Sequence, residues 1–369
     1  MSLGSELRIV IAGGGTGGHL FPALAIGERL QVREPTLKIH YIGSKFGLEA
    51  TTLPDYKLPH TLLPIRGIQR GIDAISIGQN LLFPGRVLKS YRIAKSIIKQ
   101  LQPAVVVGTG GYASGLPLLA AVKKGIPTLI QEQNSYPGMT TRKLAPQVDC
   151  VCLAFAEASQ YLESNNTIIT GNPVRTGIDQ GEAAKGAEIF NLNPDKLTLF
   201  LFGGSQGSAA LNKLMASIAG QLAESGIQIL WQTGRKQLDQ YRQFDSQRIR
   251  VLPFIEQMDH AYALSHLILS RAGALTLAEI TICGKPAILV PLPTAAADHQ
   301  TWNARSLEKA GAARLITEQM LSQEILFNQI NVMLKDADLL QVMSEKSLQL
   351  ARPEATNTIV TQILELAQA

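Results

Sequence analysis

The stretch "IVIAGGGTGGHLFPALAIGERL", residues 9–30, joins a short β-branched run, a glycine-rich turn and an amphipathic helical pattern. Gly13, Gly15 and Gly18 have the G-x-G-x-x-G spacing of a dinucleotide-binding turn. Glycines in such a turn let the backbone approach an anion, and the N–H groups that begin the next helix point toward it. The stretch therefore predicts a phosphate-binding strand, turn and helix of an α/β domain.

A nicotinamide dinucleotide would need a second feature, an acidic residue about 20 positions further on that holds the ribose. The next strand-like run, LKIHYIG, is followed by Ser44 and Lys45, and the nearest carboxylate, Glu49, comes late, where another helix is expected. His19 directly follows the glycines and offers a proton donor or acceptor that a passive cofactor cradle does not need. The sequence therefore argues against NAD and favours another phosphate-bearing ligand.

Length and composition predict a soluble, cytosolic α/β protein with more than one domain. The 369 residues exceed the length at which single cores stop growing, and 46% of them are hydrophobic. Cys150, Cys152 and Cys283 lack metal-ligand spacing, which is typical of a reduced chain. No cationic, apolar, cleavable leader precedes the first strand, so we do not expect secretion.

Strand-like runs alternate with helical patterns, which is typical of βαβ units and parallel sheets. The alternation occurs twice, because VIAGGGTGGHLFPALA and LFLFGGSQGSAALNKLM both read as a strand, a glycine cluster and a helix. We therefore predict an α/β protein of two Rossmann-like domains facing a cleft, residues 1–172 and 173–349. A C-terminal helix, 350–369, is expected to pack back on the first domain.

The second half carries three polar motifs with ligand-binding character. Amides at a helix start favour a diphosphate, an acid one turn further on can accept both hydroxyls of a ribose, and side-chain amides suit sugar hydroxyls. Glu279 also has a simpler interpretation, as a capping or solvent-facing residue. The motifs are GGSQGS (203–208), SRAGALTLAE (270–279) and PLPTAAADHQTWNA (291–304).

Positive charge is concentrated in the first half. Residues 1–172 carry 17 Lys and Arg against 10 Asp and Glu, and seven cations between residues 60 and 100 face one acid, Asp73. Interleaved apolar residues suit an anionic membrane surface, although a core helix with a solvated basic face explains the pattern equally well. Nucleic acid is not expected, because aromatic residues are few and no groove-reading motif occurs. The proposed membrane patch consists of Ile75, Leu81, Leu82, Phe83, Arg86 and Lys89.

Eight motifs, in order, resemble the MurG-type family of UDP-N-acetylglucosamine transferases, which act on lipid I in peptidoglycan synthesis. The resemblance runs from residue 9 to about residue 312 and implies a GT-B fold without metal or cofactor. It implies an inverting transfer of GlcNAc from UDP-GlcNAc to the C4 hydroxyl of the MurNAc of lipid I, giving lipid II. Gln131 departs from the family, whose members often have His there. The motifs are GGGTGGHLFPALA, GTGGYASG, QEQNSYPG, GNPVR, GGSQGS, PFIEQM, SRAGALTLAE and ADHQTWNA.

The resemblance implies a donor site centred on the second domain. Phe254 and the backbone of Ile255 would hold the uracil, with Met258 nearby. The GGSQGS turn and the start of the SRAGALTLAE helix would face the diphosphate, Glu279 the ribose, and Gln300 with Asn303 the GlcNAc. The full implied set is Thr16, Gly17, Gly18, His19, Asn134, Arg175, Ser205, Gln206, Phe254, Ile255, Met258, Arg271, Ala274, Leu275, Thr276, Glu279, Gln300 and Asn303.

The glycine loops of the first domain would hold the pyrophosphate of the acceptor. The attacking hydroxyl needs a base, and His19 is the first candidate because the ordinary pKa of histidine lies near neutrality. Glu132 and Tyr112 are alternatives or partners, and helix amides would stabilise the charge on the leaving UDP. The acceptor residues implied are Gly15, Thr16, Gly18, His19, Gly110, Gly111, Tyr112 and Ser114.

The implied partners are UDP-GlcNAc, lipid I, an anionic surface at the cytoplasmic face of the inner membrane, and other proteins of wall synthesis and division. Three alternatives remain open. A UDP-GlcNAc 2-epimerase shares the bilobal fold without needing the basic apolar segment. A diacylglycerol sugar transferase has an acceptor without pyrophosphate. A non-catalytic sugar-nucleotide binder or membrane scaffold would tolerate loss of His19.

Overall fold

The computed structural model describes residues 7–68, 78, 80–164, 166–204 and 206–368. The chain divides into two compact units, Met1–Pro173 with Pro353–Ala369 and Val174–Arg352. Each unit contains one sheet in which all strand pairings are parallel. The predicted α/β class with two Rossmann-like domains is therefore confirmed.

The first unit has a seven-stranded sheet in the order β3-β2-β1-β4-β5-β6-β7. Because the strand order reverses between β1 and β4, the loops that follow these strands lie side by side at a switch point, where open α/β sheets bind ligands. Ala12 pairs with Gly108 there, at the last residues of both strands. The strands are β1 Arg8–Ala12, β2 Lys38–Ser44, β3 His60–Leu63, β4 Val105–Gly108, β5 Thr128–Glu132, β6 Cys150–Leu153 and β7 Thr167–Ile169.

Both faces of this sheet are buried, which explains its continuous apolar strands. In β1, Ile9 and Ile11 belong to a core that includes Ile359 of the C-terminal helix, whereas Val10 and Ala12 belong to the opposite core. The helices are α1 Gly17–Arg33, α2 Glu49–Asp55, α3 Phe83–Leu101, α4 Tyr112–Val122, α5 Met139–Leu144 and the C-terminal helix Ala355–Gln368, with 3-10 turns at Ala145–Gln147 and Ala156–Tyr161.

The second unit repeats the plan with a six-stranded sheet in the order β10-β9-β8-β11-β12-β13. Its switch point lies between β8 and β11, where Phe202 pairs with Ser270. The GGSQGS and SRAG turns therefore leave neighbouring strands at the same edge of the sheet. The strands are β8 Thr198–Phe202, β9 Gln228–Gln232, β10 Ile249–Leu252, β11 Leu267–Ser270, β12 Ala287–Leu289 and β13 Ala313–Leu315.

Side-chain caps begin several helices of the second unit. The Ser208 hydroxyl and the Asp336 carboxylate accept hydrogen bonds from backbone amides three residues further on, which satisfies donors that a helix start leaves unpaired. The helices are α6 Ala183–Phe190, α7 Ala209–Glu224, α8 Leu238–Tyr241, α9 Met258–Leu264, α10 Ala274–Ile282, α11 His299–Lys309, α12 Gln323–Lys335 and α13 Ala337–Gln349, with 3-10 turns at Arg242–Phe244 and Ala296–Asp298.

Candidate active site

A buried carboxylate supports the first glycine loop. Glu49, at the start of α2, is fully buried, and its Oε1 accepts hydrogen bonds from the amides of Ser44 at 2.8 Å and Gly15 at 2.9 Å. A Cβ at Gly14 or Gly47 would overlap the Glu49 side chain. Gly14 and Gly47 are therefore needed to accommodate the Glu49 side chain, and not only to bring the backbone close to a ligand.

This arrangement corrects the expectation that Gly15 binds the acceptor diphosphate through its backbone. The Gly15 amide donates to Glu49, and the charge of that carboxylate would repel a phosphate placed there. The amides of Gly17 and Gly18 begin α1, and helix geometry gives them no carbonyl within the helix to bond. Thr16 precedes them as the N-cap residue, so an anion site would consist of residues 16–18.

His19 lies in the first turn of α1, against the second glycine loop. Its Nδ1 is 3.0 Å from Oε1 of Gln133, and its carbonyl accepts a hydrogen bond of 2.8 Å from the Thr109 hydroxyl. Gly110 has a φ of +102°, and a Cβ there would come 2.5 Å from the His19 Nδ1. The second glycine loop therefore fits closely around the imidazole.

The second glycine loop also contacts the first. A Cβ at Gly111 would lie 2.1 Å from the Gly14 carbonyl oxygen, so the two loops touch through backbone alone. The buried Ser114 hydroxyl donates to the Gly111 carbonyl at 3.0 Å, and the Tyr112 ring meets the Phe83 ring edge-on at 5.9 Å. The structure thus brings His19, Gly110, Gly111 and Tyr112 together at one switch point. The Ser114 hydroxyl instead bonds the N-cap residue of its own helix, Gly111.

Glu132 has a structural environment. Its carboxylate is buried at the end of β5 and accepts hydrogen bonds from the Asn134 amide at 3.1 Å, the Gly138 amide at 3.0 Å and the Thr141 hydroxyl at 2.5 Å. The Asn134 side chain donates to the same carboxylate at 3.2 Å. These bonds hold the turn that leads from β5 to α5, and they do not support Glu132 as the base.

Glu279 lies in α10, where its carboxylate is nearly buried. The Tyr262 hydroxyl donates to Oε2 at 3.0 Å, and Nε of Arg175 lies 3.4 Å from Oε1. Burial raises the pKa of the Glu279 carboxyl, against the opposing effects of Arg175 and Tyr262. Burial also raises the pKa of Tyr262 strongly. Glu279 is therefore an oriented acid, and its interpretation as a solvent-facing residue is wrong.

The start of α10 has the form of an anion site. Gly273 is the N-cap residue with extended backbone and no capping side chain, and the first turn consists of Ala274, Leu275 and Thr276. The neighbouring turn presents Gln206, which is exposed, whereas the Ser205 prediction lies outside the described residues. Helix-start amides in this position suit a diphosphate.

Arg271 ties the two turns to the loop after β12. The buried guanidinium donates from Nε to the Ser208 hydroxyl at 3.1 Å and from Nη1 to the carbonyls of Val290 and Pro291 at 3.2 and 3.0 Å. Its Nη2 lies 2.7 Å from Glu318. These contacts with protein groups indicate that Arg271 holds the GGSQGS turn and the loop after β12 in place. They do not support direct contact between Arg271 and a sugar.

The two predicted sugar-binding amides differ in environment. Gln300 is half-buried, and its Oε1 accepts a hydrogen bond of 2.9 Å from the Leu292 amide. Asn303 is fully buried, and its Nδ2 lies 3.4 Å from the Ala272 carbonyl oxygen. Their spacing places both on one side of α11, but of the two only Gln300 is partly accessible.

A pocket of about 520 Å³ borders the predicted uracil position. The Arg235 guanidinium lies 5.9 Å from the centre of the Phe254 ring within it. The Ile255 amide donates to Gln232 Oε1 at 2.8 Å, so its backbone can meet a base through the carbonyl oxygen but not through the N–H. The buried Met258 begins α9 beside it. The pocket is lined by Ile189, Phe190, Arg235, Leu252, Pro253, Phe254, Ile255, Glu256 and Gln257.

The proposed membrane patch divides into exposed and half-buried parts. Leu81 and Leu82 are 77% and 55% exposed, whereas Phe83 is half-buried and packs against Tyr112 and the adjoining core, so that Phe83 offers less apolar surface to a membrane than the two leucines. Lys89 is exposed, and Ile75 lies outside the described residues.

Two arginines extend this surface toward an aromatic side chain. The guanidinium carbons of Arg86 and Arg66 lie 5.3 and 5.9 Å from the centre of the Phe46 ring, which is 51% exposed. Phe46 could not be predicted as part of this surface, because it lies 20 residues before Arg66, the first cation of the basic segment. No helix in the described part of the chain is both long and apolar enough to cross a bilayer.

The described residues contain no group of three or more His, Cys, Asp or Glu side chains arranged to hold a metal. Asp336 and Asp338 have the D-x-D spacing of some sugar-nucleotide transferases that use a metal. Asp336 instead caps α13, accepting a hydrogen bond of 2.9 Å from the Leu339 amide. Asp336 therefore caps this helix, and Asp338 lies in its first turn.

Two parallel α/β units, each with glycine-rich turns at the switch point of its sheet, define the chain as a two-domain glycosyltransferase of the GT-B fold. Residues 9–153 match the glycosyltransferase family 28 N-terminal domain, and residues 198–359 match the family 28 C-terminal domain. The chain belongs to the MurG family within these glycosyltransferases.

Relatives of nearly equal length support this assignment. The UDP-N-acetylglucosamine–N-acetylmuramyl-(pentapeptide) pyrophosphoryl-undecaprenol N-acetylglucosamine transferase of Cytophaga hutchinsonii is 40% identical, over 97% of this chain and 96% of the relative. The enzyme of the same name from Desulforamulus reducens is also 40% identical, over 96% and 97%. The crystal structure of Acinetobacter baumannii MurG is similar with a TM-score of 0.78 at 32% identity, over 97% of this chain and 99% of that one.

Proposed function

We propose that this protein transfers GlcNAc from UDP-GlcNAc to the C4 hydroxyl of the MurNAc of lipid I, giving lipid II with inversion at the anomeric carbon. The observation that carries the proposal is full-length similarity to transferases with this name, at 40% identity. We assign the UDP-sugar to residues 173–349, and the acceptor and membrane to residues 1–172 with the C-terminal helix.

The donor would be held by the groups at the switch point of the second unit. The first turn of α10 supplies amides for the diphosphate, and Glu279 is already oriented by Tyr262 and Arg175 to accept the ribose hydroxyls. The uracil would enter the pocket beside Phe254, where the Ile255 carbonyl can accept from the base N–H. Gln300 is the accessible amide for the GlcNAc. Amides near the leaving diphosphate stabilise its growing charge without a cation.

The acceptor would be held at the switch point of the first unit. Its diphosphate would contact the helix start at residues 16–18 and the glycines at 110 and 111, with Tyr112 beside them. His19 would accept the proton of the attacking hydroxyl, because its Nδ1 is engaged by Gln133 and its Nε2 remains to act as the base.

The membrane proposal rests on Leu81 and Leu82, with Arg66, Arg86 and Lys89 as the surrounding cations. The apolar side chains would enter the interface of the cytoplasmic leaflet of the inner membrane, and the cations would meet anionic headgroups. A lipid-linked acceptor stays in the bilayer, so its enzyme must come to the surface. Other proteins of wall synthesis and division are proposed partners by the family resemblance alone.

Transfer of radiolabel from UDP-GlcNAc to a short-chain lipid I analogue, with EDTA present, tests the proposal. We expect a labelled lipid product that forms at the same rate with or without the chelator. Conversion of the donor alone into UDP-ManNAc would establish the epimerase alternative. Labelling of diacylglycerol in place of the analogue would establish the other lipid glycosyltransferase, and donor binding without any product would establish a non-catalytic binder.

A further inference from the structure

We propose that Gln133 is a positioning residue that holds His19 as its Nδ1–H tautomer and so leaves Nε2 as the nitrogen able to accept a proton. The catalytic part of this inference rests on the proposed function, in which His19 is the base. The tautomer itself is a property of the protein alone, and it can be measured without any substrate.

The orientation of the Gln133 amide is fixed by its surroundings. The side chain is 2% exposed, and its Nε2 lies against three oxygens: the carbonyls of Thr109 at 2.8 Å and Gln131 at 2.9 Å, and Oε1 of Gln131. The two N–H groups of the amide are shared among these acceptors. Turning the amide over would place Oε1 against those three oxygens, with no hydrogen between any pair. Oε1 of Gln133 is therefore the atom that meets His19.

This orientation decides which imidazole nitrogen carries the proton. Oε1 of Gln133 lies 3.0 Å from Nδ1 of His19, and an amide oxygen can only accept a hydrogen bond. Nδ1 must therefore donate, and because a neutral imidazole has one N–H, Nε2 keeps its lone pair. A general base needs such a lone pair, so the amide selects the tautomer that the reaction requires.

A second layer of amides holds Gln133 in place. Nε2 of Gln131 donates to Oδ1 of Asn172 at 3.0 Å, and Nδ2 of Asn172 donates to the Gln133 backbone carbonyl at 3.0 Å. All three side chains are buried. None of them ionises, so the direction of the hydrogen bonds toward His19 does not change with pH.

The direct test is a two-bond ¹H–¹⁵N correlation spectrum of the full chain labelled at its six histidines. The signal of His19 is assigned by its loss in His19→Asn, and the spectrum is recorded at about pH 8.5, above the ordinary pKa of histidine. We expect the Nδ1–H tautomer in the wild type and a shift of at least about fivefold toward the Nε2–H tautomer in Gln133→Met. An Nε2–H tautomer in the wild type would overturn the proposal without any variant.

Thr109→Val is the matched control, because it removes a hydrogen bond to the His19 carbonyl and leaves the imidazole contact in place. It should keep the Nδ1–H tautomer. In Gln133→Met we expect kcat to fall about tenfold, with the KM for UDP-GlcNAc within about twofold of the wild type. An unchanged tautomer in Gln133→Met would refute the positioning role. A changed tautomer with unchanged kcat would refute its link to catalysis, while transfer by the wild type would still stand.

Discussion

Replacing Glu279 tests the donor site most sharply, because the structure shows what each substitution leaves behind. Glu279→Ala would remove both proposed hydrogen bonds to the ribose, and also the acceptor of the buried Tyr262 hydroxyl and the partner of Arg175. Glu279→Gln keeps the shape and an acceptor for Tyr262, but it removes the charge. The two variants therefore separate the charge from the loss of packing.

The expected loss follows from the chemistry of the contact. Two charge-assisted hydrogen bonds to a ribose correspond to about 2 to 4 kcal/mol of UDP-GlcNAc binding, which Glu279→Ala should lose almost completely. Glu279→Gln should lose about half of that, because a neutral amide oxygen accepts more weakly. Tyr262→Phe removes the hydroxyl that orients the carboxylate, and it should cost about 0.5 to 1.5 kcal/mol.

Isothermal titration calorimetry with UDP-GlcNAc measures these losses. UDP-GlcNAc is a better probe than UDP, whose terminal phosphate itself titrates near pH 6, by analogy with phosphorylated side chains. Because burial raises the pKa of Glu279, the affinity of the wild type should fall on acidification at a pH above the ordinary range of glutamate. Glu279→Gln should lack this dependence. Equal affinities of the wild type and both Glu279 variants would refute the assignment of this acid to the ribose.

The first glycine loop, the exposed leucines and the two buried acids can each be tested by substitution. His19→Ala should lower kcat at least about 10²-fold with unchanged UDP affinity, and a collapse of UDP binding would mean that the loops were assigned to the wrong ligands. Leu81→Glu with Leu82→Glu should abolish sedimentation with anionic liposomes, which in the wild type should weaken with salt, while transfer to a soluble acceptor continues. Glu49→Ala removes the acceptor of the buried Ser44 amide and of the part-buried Gly15 amide, so it should lower the free energy of unfolding by about 1 to 3 kcal/mol, a loss that calorimetry would detect. The raised pKa of Glu279 stabilises the fold when the group is protonated, so as pH rises through that pKa the wild type should lose stability relative to Glu279→Gln.

Matched controls keep these results interpretable. Met320→Glu changes a residue of the second unit that is 65% exposed, and it should leave liposome binding intact. Circular dichroism of the Leu81 and Leu82 double variant shows whether it is folded, and a folded variant that still sediments would contradict the membrane proposal. For Glu49, unchanged unfolding of the alanine variant would mean that the Gly15 and Ser44 amides find other partners.

The fold was largely predictable from the sequence, because both sheets consist of buried parallel strands with continuous apolar runs. The alternation of these runs with helical patterns predicted parallel sheets in both halves of the chain, and the structure confirms both. The strands His60–Leu63 and Ala313–Leu315 were not predicted, because His60 with Thr61 in the first, and Arg314 in the second, interrupt the apolar run. The predicted membrane segment was ambiguous for a related reason: α3 buries Ala94 and Ile98, while the preceding leucines stay exposed.

The candidate site was predictable as residue types but not as contacts. Helix-start glycines and Glu279 were visible from spacing, whereas the occupation of the Gly15 amide by Glu49 depends on a contact 34 residues apart. The role of Gln133 likewise depends on its contact with His19, which lies 114 residues away in the sequence. Arg271 was implied as a ligand by the family resemblance, since it lies within the SRAGALTLAE motif, and only its four protein partners show that it faces inward.

The linkage in the product shows whether this protein makes lipid II from lipid I. After incubation with UDP-GlcNAc and a short-chain lipid I analogue, mass spectrometry and NMR of the purified lipid identify the bond that has formed. We expect one added GlcNAc, β-linked to the C4 oxygen of MurNAc. An α-linkage, attachment at another hydroxyl, or release of UDP with no sugar on the lipid would contradict it.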